Sequence, residues 1–516
     1  MAVPRTGIRL AELVATLSLC TDLGLGQPME HVMRRCLISL RLSEQIGLDE
    51  AERVVVYYTA LLATVGCHVD AYEQAKWFSD DIAMKADGYL ATSEVGFMLS
   101  HFGAGKPPLE RARLAAAFLG GGFRWLQGFL QAHCAGADFL ASRLELGDDV
   151  RASLAQSYEL WDGKHAVLGL KGKEILPAAR LLHLANIVEV FHRVGGLGAA
   201  VEVVRKRSGA EFDPDLVELF CEQAASLFAD LDASSSWDMV IAAEPALQVR
   251  ISDEQLELAL EGIGDFIDIK SPFTIGHSRS VADLTAAAAL AYGLPETDVT
   301  TLRRAALVHD FGRLGVSNGI WDKRGPLTQS EMERVRLHPY LSERMLAFSP
   351  TLAPLGAIAV QHHERLDGSG YPRGISGSAI TPSGRLLAAA DVYHAMTELR
   401  PHREARSPEE AAALLRTEVA AGRLDGDAVN AVLRAAGHRV SARHDWPADL
   451  TAREVEILKL VACGLSNKEI AERLVISRKT AGNHVEHIYS KIGVSKRAGA
   501  GLFAVQHGLM TDAYPQ

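Results

Sequence analysis

The sequence predicts an all-α protein: two tandem helical modules followed by a small helical C-terminal domain. Three observations carry this. Alanine and leucine are abundant, and aromatic residues make up only 6% of a chain that is 48% hydrophobic, which favours helices over a sandwich or barrel. Apolar residues recur at helical spacing in the C-terminal segment. The text of the first half returns, altered, in the second.

The repeat has two ungapped blocks. His31 to Ala63 and His277 to His309 both span 32 residues and run as helical patterns. They lie 246 residues apart. Further on, at a spacing of 205, Gln156-Ser157-Tyr158-Glu159 falls against Gln361-His362-His363-Glu364, and Asp162-Gly163 against Asp367-Gly368. ILPAARLL (175–182) falls against ITPSGRLL (380–387), and Asn186 against Asp391. The first copy thus carries 41 extra residues between the blocks. The differences are chemical: His309, Asp310, His362, His363 and Asp391 become Ala63, Thr64, Ser157, Tyr158 and Asn186. Each change removes a good metal ligand and leaves the apolar frame. Residues 1–225 therefore read as a pseudo-copy that has lost its metal and is kept for sensing or dimerisation. Residues 226–262 read as a linker with helical stretches. The second copy spans 263–440. Arg443 to Pro447 reads as a polar hinge, and 447–516 as the final domain.

At 516 residues, about three domains are the natural prior. The formal net charge of −11 excludes DNA binding through bulk charge, so any such site must be a local patch. The six cysteines form no Cys-x-x-Cys pair and read as small buried hydrophobes in a reducing compartment. No apolar run reaches the roughly 18 residues a membrane helix needs, and the N-terminus reads as an ordinary first helix, not a signal peptide. A cytoplasmic location without membrane contact is expected.

The second copy holds the most informative stretch, HHERLDGSGYP (362–372), with His309-Asp310 upstream and Ala390-Asp391 downstream. Imidazole with carboxylate suits first-row divalent metals. A metal pair ~3.5–4 Å apart is a known device for cleaving phosphate esters. In order, the candidates are His277, His309, Asp310, His338, His362, His363 and Asp391. Neighbours on a helix point about 100° apart, so adjacent ligands would tend to serve different ions, or one ion and a bridge. His394 and His402 read as bystanders.

With VHDFGR (308–313), His338-Pro339, HHERLDGSGYP and ADVYHAMTELRPHR (390–403), the second copy resembles an HD-GYP domain, a branch of the HD phosphohydrolase superfamily. The resemblance implies two tandem HD-type helical domains, the first degenerate. It also implies a metal-dependent phosphodiesterase acting on a cyclic dinucleotide such as cyclic di-GMP, with iron or manganese as cofactor. One ion would be held by His277, His309, Asp310 and Asp391. Asp310 would bridge to a second ion held by His338, His362 and His363. Asp310 and Arg313 would carry the chemistry. Gly368 and Gly370 would form a ligand-side loop with unusual backbone angles, and Tyr371 and Pro372 would shape its exit.

Three departures stand out. The family's lysine is Arg313 here, which holds a phosphate by a fork in place of a point charge. Tyr393-His394-Ala395 replaces a Phe-Asp-Ala, so an acid is missing. Phe273 stands where some members place a glutamate, which argues for two ions and not three.

The final segment has its own signals. Thr451 with Glu454, and Ser466 with Glu469, are capping boxes, Gly464 breaks the first helix, and Ser477 caps the third. Two short helices joined by a tight turn make a helix-turn-helix. Down to GLSNKEIA (464–471), the segment resembles the LuxR-type DNA-binding domain. That resemblance implies a four-helix domain that binds double-stranded DNA as a homodimer. Lys479, Thr480, Asn483 and His484 would face the major groove, and Lys468, Arg478 and Lys491 would contact phosphates. Ala481 and Gly482 are small where the family often has a valine and a lysine.

The expected protein is a one-component transcription regulator whose second copy binds and hydrolyses a phosphorylated nucleotide. The alternative is a regulator that senses a nucleotide or metal without turnover.

Overall fold

The computed structural model describes residues 7–510 apart from 92–93, 119–122, 165–166, 246–248, 441–446 and 475. The hinge residues Arg443 to Trp446 lie outside the described residues. Among those described there is no β-strand, only three isolated bridges, and the chain is built of helices and turns. No single described helix is long and apolar enough to cross a membrane. The chain divides into two compact units between His438 and Arg439.

Within the larger unit the same helical frame occurs twice. In the first half the His31–Gln45 helix packs on Glu50–Leu62 and on Pro177–Arg207. In the second, the His277–Tyr292 helix packs on Glu296–Leu307 and Pro382–Thr397. Both His-initiated helices follow a residue with positive φ, Glu30 at 83° and Gly276 at 80°. Only glycine adopts this backbone freely.

The match extends to individual hydrogen bonds. Gln156 Oε1 accepts from Leu176 N at 2.7 Å, and Gln361 Oε1 from Thr381 N at 2.9 Å. The buried Glu159 accepts from the backbone of Leu168 and Leu170, and Glu364 from that of Arg373 and Ile375. A β-carbon placed on Gly66 would lie 1.9 Å from the His133 carbonyl oxygen, and one on Gly312 would lie 2.0 Å from that of His338. Only glycine fits either contact. The second pairing was not seen in the sequence: His133 stands to His338 at the spacing of 205.

The helical stretches described within residues 226–262 pack against the two halves. The Ser236–Ala242 helix buries Trp237 and Val240, and Tyr57 donates to the Val240 carbonyl at 3.1 Å. The Asp253–Asp268 helix, started by a Ser252–Gln255 capping box, buries Leu256, Leu260 and Ile263 and packs on the second half. Its apolar residues recur at helical spacing, so packing supplies the stability that a polar linker lacks.

The halves are locked along a polar seam. Asp81 accepts from Ser317 Oγ at 2.7 Å and from Asn318 N at 2.8 Å. Lys270 Nζ lies 3.8 Å from Asp81. Gly319 approaches the Ser79 carbonyl so closely that a β-carbon would meet it at 1.9 Å.

The smaller unit holds four helices: Ala452–Ala462, Asn467–Leu474, Arg478–Lys491 and Arg497–Gln506. Their apolar faces share one core of Leu450, Val455, Leu458, Ile470, Val485, Ile488 and Ala504 with their neighbours. Thr451 and Ser466 form their capping boxes, Ser477 caps the third helix, and Gly464 takes φ 88°.

Candidate functional site

The structure brings His277, His309, Asp310, His338, His362, His363 and Asp391 to one place. Three of the imidazoles are held alike. His309 Nδ1 donates to the Ala306 carbonyl at 2.7 Å, His338 Nδ1 to Val335 at 2.6 Å, and His362 Nδ1 to Ala359 at 2.6 Å. Each acceptor lies three residues back, at the end of a turn. With the proton on Nδ1, each Nε2 keeps a lone pair and faces inward. His277 is held the same way by a carboxylate, with Nδ1 3.0 Å from Glu398 and Nε2 3.3 Å from Asp391.

The inward atoms crowd. His338 Nε2 and His362 Nε2 are 3.1 Å apart. Asp310 Oδ1 lies 3.3 Å from His338 Nε2 and 3.8 Å from His362 Nε2. Asp391 lies 3.8 Å from His363 Nδ1 and 4.0 Å from His309 Nε2. His309 Nε2 is buried with no hydrogen-bond partner. Two imidazole lone pairs at 3.1 Å repel unless a cation lies between them. A proton is disfavoured, because burial pushes His362 down to about 3. Burial likewise holds His363 well below its usual value. Burial would raise Asp310 and Asp391. His309 and Arg313 nevertheless hold the first well below the carboxylate range, and His277 and His363 hold the second there. Unprotonated His309, His362 and His363 beside ionised carboxylates are the kind of donor set divalent ions need, while His277 must first give up a proton. The groups that could hold one are His277, His309 and Asp391; His309, Asp310 and His362; His338, His362 and His363; and His277, His394 and Glu398.

The last group corrects two expectations. His394 is not a bystander: its Nδ1 lies 3.3 Å from that of His277 and 3.3 Å from Glu398. The acid missing at 394 is supplied one turn later, where Glu398 bridges His277 and the Arg400 guanidinium. His402 also lines the cavity over the cluster. This cavity holds about 240 Å³ and is walled by Phe273, Arg313, Trp321, Arg400 and Arg403 among others. Arg313 donates to Asp310 Oδ2 at 2.9 Å and lies over the Trp321 ring, 4.2 Å from its centre.

The loop expected on the ligand side sits behind the cluster. Gly368, Gly370, Tyr371 and Pro372 do not line the cavity. Gly368 takes φ 80°, as expected, but Gly370 does not take positive φ. It is required by space, since a β-carbon there would lie 2.4–2.5 Å from the backbone of Arg365, Glu364 and His363. Tyr371 stacks its ring 4.7 Å from that of His363 and so braces a ligand.

In the first half one side chain fills the corresponding space. Arg35 is fully buried. Its Nε donates to the Ala60 carbonyl at 3.1 Å, the counterpart of the Ala306 carbonyl that holds His309. Its Nη1 reaches Asn186 Oδ1 at 3.0 Å and its Nη2 reaches Thr64 Oγ1 at 3.3 Å. Asn186 and Thr64 stand opposite Asp391 and Asp310. His31 keeps the place of His277, paired with buried Glu189 and 3.2 Å from Asn186. A guanidinium thus stands where the second half gathers metal ligands.

In the C-terminal unit Arg478, Lys479, Thr480 and Asn483 are exposed on one helix, His484 is half-buried, and Lys468 is exposed on the helix before. Lys491 departs from expectation: its Nζ is paired with Glu454 at 2.8 Å, clamping the third helix to the first.

A protein of this class is a helical metal-site protein carrying a helix-turn-helix unit, and comparison gives the family. Residues 263–428 match the HD domain family, and residues 448–504 match the bacterial regulatory proteins of the luxR family. The 3′3′-cGAMP-specific phosphodiesterase 3 of Vibrio cholerae is 32% identical over 423 residues, covering 80% of this chain and 92% of that protein. A crystal structure of a cyclic GMP-AMP specific phosphodiesterase from V. cholerae aligns with TM-score 0.59 at 28% identity, covering 84% of this chain and 99% of that one. A cyclic di-GMP phosphodiesterase of Thermotoga maritima is 38% identical over 160 residues, covering 31% of this chain and 42% of that protein. The chain belongs to the HD-GYP family of HD-domain proteins and ends in a LuxR-type domain.

Two predictions follow from this geometry. Replacing Arg35 by methionine strands the Ala60 carbonyl, Asn186 and Thr64, each at about 1–3 kcal/mol. A loss of at least ~3 kcal/mol in denaturant unfolding is expected, with metal content unchanged; a variant as stable as the parent contradicts the role. The second concerns His277. Burial lowers its affinity for a proton, but Asp391 and Glu398 overcome this and raise it to about 10. At neutral pH it carries both protons, and an ion at Nε2 must displace one. Manganese uptake at pH 7–8 should release a proton and tighten as pH rises. Calorimetric titration in buffers of different ionisation enthalpy measures this, and uptake without proton release excludes it.

Proposed function

We propose that the chain is a one-component transcription regulator that hydrolyses a cyclic dinucleotide at two divalent ions, iron or manganese, and binds double-stranded DNA as a homodimer. The observation that carries the reading is the convergence of inward-facing imidazole nitrogens on two ionised carboxylates beneath a cationic cavity. Ions bound there supply a water acidified to hydroxide and neutralise the phosphoryl oxygens. His277, His309, Asp310 and Asp391 would hold one, and Asp310, His338, His362 and His363 the other. The remaining work falls to the chain's own residues. Arg313, fixed between Asp310 and Trp321, offers its fork to a phosphate oxygen. Arg400 offers a second cation across the cavity. Glu398 fixes the His277 ring so that Nε2 faces inward. The Trp321 and Phe273 rings limit water access. Relatives include phosphodiesterases of cyclic di-GMP and of 3′3′-cGAMP, which supports this substrate class.

Residues 1–225 serve in this reading as a metal-free HD-type half, 263–440 as the hydrolase and 447–516 as the DNA reader. The runner-up is a sensor without turnover. The contact of Arg313 with Asp310 Oδ2 favours it, because it occupies one oxygen of the proposed bridging carboxylate.

Purified protein should contain iron or manganese, and Asp310→Ala should lose both metal and cyclic dinucleotide hydrolysis while DNA binding persists. Metal analysis with a turnover assay decides, and equal turnover in parent and variant sinks the assignment. Full-length protein should select a sequence from a randomised DNA pool. Asn483→Ala, losing one base-edge contact worth about 1–3 kcal/mol, should weaken that binding at least about fivefold by fluorescence anisotropy. An unchanged affinity removes Asn483 from the reading surface.

A further inference from the structure

We propose that the metal-free first half builds a second nucleotide subsite, so that the cleft for a cyclic dinucleotide is completed by residues of both halves. The inference rests on the cyclic dinucleotide reading above.

The cavity over the metal cluster is small. Its 240 Å³ or so falls below the ~300–1,000 Å³ usual for small-molecule sites. A molecule with two nucleosides and two phosphodiesters needs room beyond it. That room adjoins. A second cavity of about 310 Å³ is lined by Tyr72, Ala75, Lys76, Ser79 and Lys106 of the first half and by Asn318, Gly319, Asp322 and Arg324 of the second. Asp322 lines both cavities. The aromatic walls also meet: the Tyr72 ring lies 6.0 Å from that of Phe273, which faces the metal cavity.

The chemistry suits the distal half of such a ligand. Lys76, whose Nζ lies 3.9 Å over the Tyr72 ring, and Arg324 place two cations beside one acid, Asp322, with Lys106 paired to Glu110 at the border, a balance that suits a phosphodiester anion. Tyr72 and Phe273 offer rings against a base, a contact that tolerates any base because every base has a π-face. Asp322 is fixed by Ser271 Oγ at 2.7 Å and Asn318 Nδ2 at 2.7 Å. Each carboxylate oxygen keeps a further lone pair to accept from a base N–H.

The seam makes this subsite rigid. Asp81 grips Ser317 and Asn318, and Gly319 touches the Ser79 carbonyl, all at or beside the second cavity. The walls are therefore in place before a ligand arrives, which lowers the ordering cost of binding. None of Tyr72, Lys76 or Arg324 touches the metal cluster.

The test uses the full chain, with calcium for the binding measurements and manganese for the turnover measurements. Dissociation constants for cyclic di-GMP and 3′3′-cGAMP are measured by equilibrium dialysis at 4 °C in calcium, in parent, Tyr72→Ala and the double variant Lys76→Glu/Arg324→Glu. Hydrolysis of bis(p-nitrophenyl) phosphate is measured alongside. This diester is small enough for the metal cavity alone. The expected result is dinucleotide binding weakened about tenfold or more in each variant, with kcat/KM for the small diester unchanged. Unaltered dinucleotide affinity overturns the subsite, as does an equal loss on both ligands, which marks a structural defect. If the parent cleaves the small diester but binds neither dinucleotide, the substrate class itself has failed and the subsite with it.

Discussion

Imidazole nitrogens and carboxylate oxygens turn inward on one buried centre, a set whose lone pairs repel unless positive charge lies among them. The backbone creates this condition. His309, His338 and His362 each give the Nδ1 proton to a carbonyl three residues earlier, and the tautomer is thereby settled. Once Nδ1 is engaged, Nε2 has nowhere to point but inward, toward Asp310 and Asp391. The resulting 3.1 Å approach of two nitrogens is unfavourable alone and favourable around an ion. The capacity to hold a cation is thus a consequence of how these helical turns end, as much as of which residues the motif contains.

The first half meets the same requirement by a different route. Its frame is the same down to the Gly66 and Gly312 contacts, the Gln156 and Gln361 bridges and the Glu159 and Glu364 backbone clamps. None of these touches the centre. The interior could therefore change while the frame stayed, provided charge and hydrogen bonds still balanced. Arg35 achieves that balance. Its five donors are directional and permanently charged, and it bonds to the carbonyl and the two side chains left in place of the metal ligands. His31 remains, turned from metal ligand to partner of Glu189.

Much of this was legible in the sequence because the metal ligands are chemically conspicuous and lie in a dense run. HHERLDGSGYP announces itself, and the repeat showed which ligands one copy lacks. What stayed hidden depends on contacts between residues far apart. Arg35 reads as an ordinary polar residue of an amphipathic helix, and only folding shows its side chain turned inward. His133 sits outside both matched blocks, so nothing local marks it as the counterpart of His338. Glu398, just past the end of the Pro382–Thr397 helix, places an acid beside His277 four residues after position 394, a shift that strict alignment records as a loss. Lys491 looks free for a phosphate until Glu454, 37 residues away, is brought beside it. The glycine loop carried conspicuous residues, but they pack against His363 and its neighbours and do not line the cavity over the cluster.

The fate of the first half's interior bears on what that half can still do. Its centre is filled by the Arg35 guanidinium, bonded to the Ala60 carbonyl, Asn186 and Thr64. Any contribution it makes to ligand chemistry must come from its outer surface. That surface is where Asp81, Ser79 and Lys76 meet the second half, a few residues from the cavity over the metal ligands. A half that has given up its own centre can still shape its neighbour's, because a rigid wall needs only placement and charge.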